Sequence, residues 1–133
     1  MKLITTAAAL LFSTSVMAAN QCKPDDICLK LETNNDVHSV ACSGIKSAEF
    51  KHNEKYGEQF VVYVDEQNNF NAFARRNRNN ANDVSIYLSN YKFKLSFLNP
   101  RLRDNIAIDI SHEKISEAAN KVKSCVDSLN AIN

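Results

Sequence analysis

Cys22, Cys28, Cys42 and Cys125 are the residues of this sequence best equipped for chemistry, because cysteines can staple a chain, ligate a metal or attack as thiolates. Zinc sites built on cysteine use close pairs such as C-x2-C, and no such pair occurs here. An even cysteine count in a short exported chain reads instead as two disulfides, which leaves no thiolate nucleophile. The expected pairing joins Cys22 to Cys28 and Cys42 to Cys125. The second of these ties an early strand to the last helix and closes a long loop, worth roughly 4 kcal/mol on the chain-entropy model. Pairing Cys28 with Cys42 across a hairpin is the competing arrangement.

The run Cys22-Lys23-Pro24-Asp25-Asp26-Ile27-Cys28 is the sharpest local feature. Bridged across five residues that include a proline, it forms a rigid charged loop in which Lys23, Asp25 and Asp26 can meet a partner at little entropic cost. Its plainer reading is a clip that tacks down the N-terminal segment. A second candidate surface is the basic concentration Arg75, Arg76, Arg78, Lys92, Lys94, Arg101 and Arg103. Most of it reads as solvated helix face and loop; if the segments converge, the arginines Arg75, Arg76, Arg78, Arg101 and Arg103 make bidentate contacts to carboxylates of a protein partner.

No catalytic constellation competes with these surfaces. His38, His52 and His112 show neither metal spacing nor a triad context, and the sequence has no nucleophile elbow, P-loop or H-E-x-x-H. The reading is therefore a binding protein and not an enzyme, without metal or cofactor.

Residues 1–18 read as a signal peptide, with Met1-Lys2 as a minimal positive start, Leu3 to Val16 as an uncharged apolar stretch and Val16-Met17-Ala18 as a small-residue cleavage site. Cleavage is expected after Ala18. The stretch is shorter than the roughly 20 apolar residues of a membrane span, and polar Asn20-Gln21 follows it. Export to the periplasm is the expectation, with no membrane span.

Taking residues 1–18 from the 133 leaves 115, enough for a single domain with a modest core. The full chain has 16 basic and 15 acidic side chains; without Lys2 the balance is zero. That balance argues against a nucleic-acid or membrane-surface role driven by bulk charge. Two glycines and two prolines leave no room for a linker, a low-complexity tail or a glycine-built phosphate cradle.

These residues must be held by strands and helices that the patterning predicts. Ile27 to Glu32 and Val37 to Cys42 flank Asn34-Asn35-Asp36, giving an opening hairpin. Ser47 to His52 either continues the second strand past Ser43-Gly44 or starts a new one. Phe60 to Val64 is the clearest strand, rich in β-branched and aromatic residues and placed after the turn Tyr56-Gly57. Asp65 then caps a helix over 66–77, whose buried face carries Phe70, Phe73, Ala74 and Asn77. Val84 to Leu88 and Tyr91 to Phe97 alternate as two antiparallel strands around Ser89-Asn90, and Ile106, Ile108 and Ile110 mark another strand. Ser111 caps a closing helix with the stripe Ile115, Ala118, Ala119, Val122, Val126 and Leu129, which places Cys125 on the core side. The sum is an α+β domain over 19–133 with a mainly antiparallel sheet, two helices packed on one face and two disulfides.

From Phe60 onward this order resembles the head subdomain of the periplasmic domain of SecD, the accessory subunit of the Sec translocon. The matching parts are Phe60 to Val64, Phe70-Asn71-Ala72-Phe73 running into Asn77-Arg78-Asn79-Asn80, Val84 to Phe97, and Ile106 to Leu129. The resemblance implies a detached periplasmic recognition module and carries no catalytic residues. The loop from Cys22 to Cys28 is similar in texture to the Cys-Lys-Pro-His-Asp-Cys loop of Ivy-type lysozyme inhibitors, with one residue more and no histidine.

Export, small size, disulfides and a rigid charged loop together lead to the expectation of an immunity protein that neutralises a peptidoglycan-directed toxin, such as a type VI secretion effector. The protein partner is the toxin or an envelope hydrolase. An accessory or chaperone-like module for exported polypeptides is the second class that the SecD resemblance implies.

Overall fold

The computed structural model describes residues 22–95 and 97–132, so the signal-peptide expectation for 1–18 lies outside the described residues. The opening hairpin pairs β1 (Ile27–Glu32) with β2 (Val37–Ala41), its turn closed by the Thr33 N–H donating to the Asp36 carbonyl at 2.8 Å. A short 3-10 turn, Cys42–Gly44, then redirects the chain, and β3 (Ile45–Asn53) starts afresh past Ser43-Gly44. Its hairpin with β4 (Gly57–Val64) turns where the Asn53 carboxamide oxygen accepts the Lys55 and Tyr56 N–H groups. Gly57 completes that turn at φ 82°, a conformation in which a side chain would be strained.

The helix expected over 66–77 is broken in two. Asp65 does cap, but what it caps is a 3-10 turn, Glu66–Asn68, and the α-helix proper, α1, is only Asn71–Arg76. The cause is local. Asn69 takes extended backbone, donates its side-chain amide to the Glu66 carbonyl and accepts the Asn71 N–H, offering the backbone an alternative to helix. The buried face is the expected one, with Phe70, Phe73 and Ala74 fully enclosed. Asn77, the single buried polar residue among those described, donates to the Phe73 carbonyl at 2.8 Å.

β5 (Ser85–Leu88) and β6 (Tyr91–Lys94) form the next hairpin. The alternation does not continue to Phe97, which is 58% exposed; Leu98 takes the inward place, its N–H on the Ala81 carbonyl. β7 (Asn105–Asp109) leads into α2 (Glu113–Ile132). His112, not Ser111, serves the start of that helix: its Nδ1 accepts the Lys114 N–H and its carbonyl the Ser116 N–H.

The α+β class expected from the sequence holds, with two disulfides, but the antiparallel strands divide between two sheets. One has the order β2-β1-β5-β6 and the other β3-β4-β7. Leu29, Leu31, Val40, Ile86 and Leu88 from the first and Phe60, Val62, Val64, Ile106 and Ile108 from the second supply one continuous core. α2 inserts Ala118, Ala119, Val122 and Val126 into it and lies along the outer edge of β3. There Lys123 Nζ donates to the Ala48 carbonyl and Asn130 Nδ2 to the Lys46 carbonyl, so the helix satisfies edge groups that would otherwise invite strand pairing. α1 sits elsewhere, at the β1–β2 turn.

The disulfides are not the expected pair. Cys22 joins Cys125 and Cys28 joins Cys42. Cys28 sits where the β1–β2 register shifts, between Ile27 and Leu29, and Cys42 follows the last paired residue of β2, Ala41; their Cα atoms are 4.9 Å apart. The segment before β1 runs on to α2, leaving Cys22 and Cys125 with Cα atoms 5.5 Å apart.

Asp36 holds α1 in place. Its carboxylate receives Arg76 through Nε at 2.8 Å and Nη2 at 3.2 Å, the Asn77 amide at 2.9 Å and the Val37 N–H at 2.9 Å. The Arg76 hydrogen bond, ahead of the Asn77 amide, holds the Asp36 carboxyl below its ordinary range. A carboxyl depressed in the fold adds stability above its unfolded pKa of about 4 and loses it as pH falls through the folded value. Asp36→Asn should therefore cost about 1 kcal/mol at pH 7 in urea unfolding, discounted for the exposure of Arg76. The gap to the unmodified protein should close below about pH 4; a constant gap from pH 7 to pH 3 would contradict this role.

Candidate functional site

The segment Lys23–Ile27 is clamped between the two bridges. Cys22 at its start is tied to α2, and Cys28 at its end is tied to the 3-10 turn after β2. It is thus not the self-closed loop expected from Cys22 with Cys28. Rigidity arrives another way. The Asp26 carboxylate accepts the Lys23 N–H at 2.8 Å, the Asp26 N–H donates to the Lys23 carbonyl at 3.1 Å, and the Ser43 and Cys42 N–H groups donate to the Pro24 and Asp26 carbonyls. These last two bonds extend the β1–β2 ladder into the turn.

Lys23, Pro24, Asp25 and Asp26 are all exposed, and Ile27 is 45% exposed. Asp26 is occupied by the turn itself. Lys23 and Asp25 form no ion pair among the described residues, so the turn offers one charge of each sign beside an apolar side chain.

Beside the turn opens a cleft of about 710 Å³ between β1 and α2, walled by Asp26, Ile27, Ser89, Lys121, Ser124 and Ser128, with all four cysteines also on its lining. A smaller cleft of about 250 Å³ shares Ser89 and Lys121 and continues past Tyr91, Lys114 and Glu117. Ser89 is the one non-glycine residue of positive φ among those described, at 55° in the two-residue turn between β5 and β6. Glycine is the usual occupant of such a turn position, so a serine there is a local cost incurred on the wall of both clefts.

The walls carry hydroxyls, an ammonium group, carboxylates and an apolar side chain, a set suited to hydrogen bonding and charge pairing. The histidines stand elsewhere. His38 Nε2 meets the Asn68 carbonyl at 2.9 Å with its ring edge-on to Phe70, His52 pairs with Glu58 on the β3–β4 hairpin, and His112 starts α2. The sulfurs of Cys22, Cys42 and Cys125 lie within 4.8 Å of one another, but as disulfides they have no thiolate to offer a metal.

The arginines occupy a different region. Arg76 is spent on Asp36. Arg101 and Arg103 belong to the segment that abuts α1, through the Phe70 N–H on the Arg103 carbonyl at 2.6 Å and the Leu98 N–H on the Ala81 carbonyl at 3.0 Å. Arg75, Arg78, Arg101 and Arg103 are exposed and form no ion pair among the described residues, whereas Lys92 faces Glu32 and Lys94 faces Asp83, each at 3.8 Å. The cysteine-flanked turn lies at the start of β1 and the Asp36 anchor of α1 just beyond its end. A six-residue strand spans roughly 20 Å, so the two candidate sets do not form one surface.

The turn is legible in the sequence, whereas the opposite wall of the clefts, on α2, lay outside the expected site. Its signal was present. Lys114, Glu117, Lys121, Ser124 and Ser128 recur at alternating spacings of three and four along α2, a polar stripe beside the apolar one.

No family model matches the chain, and no curated protein matches it.

The division of labour within the turn is testable. Asp26→Ala should lower the unfolding free energy by about 1 kcal/mol by leaving the Lys23 N–H without its acceptor, and Asp25→Ala should change it by less than about 0.5 kcal/mol. Equal losses in urea unfolding would contradict the distinction.

Proposed function

We propose that this protein is an exported binding protein of the bacterial periplasm that neutralises another protein. In particular it is an immunity protein against a peptidoglycan-directed toxin such as a type VI secretion effector. The observation that carries this reading is the turn Lys23–Ile27, exposed and yet fixed at both ends by disulfides and along its length by backbone bonds. A preshaped element loses little conformational freedom on docking, which is the property an inhibitor needs to occupy a cleft in its target.

On this reading Lys23 and Asp25 set orientation by charge, Ile27 supplies apolar contact, and the neighbouring cleft receives a projection from the partner. Two disulfides suit the oxidising periplasm and hold the surface without a cofactor. The arginines Arg75, Arg78, Arg101 and Arg103 form a second contact region for carboxylates of the partner.

Expression of the protein in the periplasm should rescue growth of cells challenged with the cognate toxin, and a stoichiometric complex should co-purify from periplasmic extract. Reversing charge with Lys23→Glu and Asp25→Lys together should weaken that complex at least about tenfold, with a melting temperature within about 2 °C of the unmodified protein. A large stability loss with unaltered affinity would make the turn scaffold. Broad, weak capture of unfolded exported polypeptides, with no rescue, would favour the accessory-module reading implied by the SecD resemblance.

A further inference from the structure

The two disulfides are not separate staples. The sulfurs of Cys22, Cys42 and Cys125 come within 4.8 Å of one another, so the sulfur of one bridge faces both sulfurs of the other. Access is unequal. Cys22 is half-buried, whereas Cys125 is 8%, Cys28 3% and Cys42 2% exposed. All four line the cleft of about 710 Å³, a volume within the usual range of small-molecule sites, and Lys121 on its wall forms no ion pair among the described residues.

We propose that this cleft is a thiol–disulfide exchange site for a small, carboxylate-bearing monothiol, which converts the four cysteines between two pairings. This goes beyond the binding role and does not depend on it. The thiolate of the incoming molecule attacks the most accessible sulfur, that of Cys22, forming a mixed disulfide; the electron pair of the broken bond leaves on Cys125 as thiolate. Cys125 lies within reach of Cys42 and attacks it, forming Cys42–Cys125 and expelling Cys28 as thiolate. Cys28 then attacks Cys22 in the mixed disulfide, closing Cys22–Cys28 and releasing the incoming thiolate unchanged. Two bridges are present before and after, and the thiol acts as catalyst with no net oxidation or reduction.

The exchange has a structural consequence. In the pairing described, the turn Lys23–Ile27 is clamped between α2 and the 3-10 turn Cys42–Gly44. In the second pairing the turn closes on itself and α2 is tied directly to that 3-10 turn. The same sequence then presents two differently anchored forms of its most exposed charged element. Lys121 favours the anionic thiol by holding its carboxylate at the mouth of the cleft.

Incubation of the purified oxidised protein with substoichiometric reduced glutathione at pH 8, followed by acid quench, tests this. Cleavage before Asp25 and Asp36 separates Cys22, Cys28 and Cys42, so mass spectrometry of the unreduced digest reads the pairing. The expected result is growth of Cys22–Cys28 with Cys42–Cys125, at a rate first order in glutathione and with no rise in protein thiols. Lys121→Gln should slow the reaction severalfold with glutathione and leave the rate with uncharged 2-mercaptoethanol unchanged. A pairing that persists until both bridges are reduced together would overturn the proposal. So would all three pairings appearing in the proportions of a denatured control.

Discussion

Everything else in this molecule is arranged around one point, where two disulfides meet beneath the first strand. Cys22–Cys125 spans a sequence separation of 103 and Cys28–Cys42 one of 14. On the chain-entropy model the longer closure is worth about 4.7 kcal/mol and the shorter about 3. Against the marginal stability of a small domain these are large contributions. They also act at the segment before β1, which is otherwise held to the body by the two backbone bonds from Cys42 and Ser43 that extend the β1–β2 ladder.

From that point the arrangement follows. The long bridge ties the segment before β1 to α2, whose apolar stripe faces the core while Lys123 and Asn130 reach the edge of β3. The short bridge fixes the irregular end of the β1–β2 ladder and with it the 3-10 turn that starts the second sheet. The cleft between β1 and α2 is what remains between elements held apart by their own backbones and together by sulfur. At the far end of β1 the same job is done by polar chemistry, with Asp36 gathering Arg76 and Asn77 to seat α1.

What the sequence disclosed is set by range. Alternation at Val84 to Leu88 and Ile106 to Ile110, the β-branched run Phe60 to Val64 and the stripe from Ile115 to Leu129 each encode which side of an element faces the core; most of these residues are buried, and Ile110, Ile115 and Leu129 are half-buried against it. Patterns of that kind cannot say how strands group, so the seven strands among the described residues resolve into two sheets where one was expected. Local side-chain bonds were equally hidden: Asn69 breaks a helix whose apolar spacing is intact. The disulfide pairing was the least legible feature, since it depends on where the N-terminal segment crosses α2. That single difference turns a self-closed loop into a clamped one and gives the cleft its second wall.

The turn before β1 is rigid in the unbound protein because both bridges and the extended ladder hold it. Native-state amide hydrogen exchange reads this directly at Asp26, Cys42 and Ser43, whose N–H groups are bonded within or onto the turn. Protection at these three amides should be comparable to that of the β1 interior. Exchange at the rate of an unstructured peptide, with β1 still protected, would contradict it.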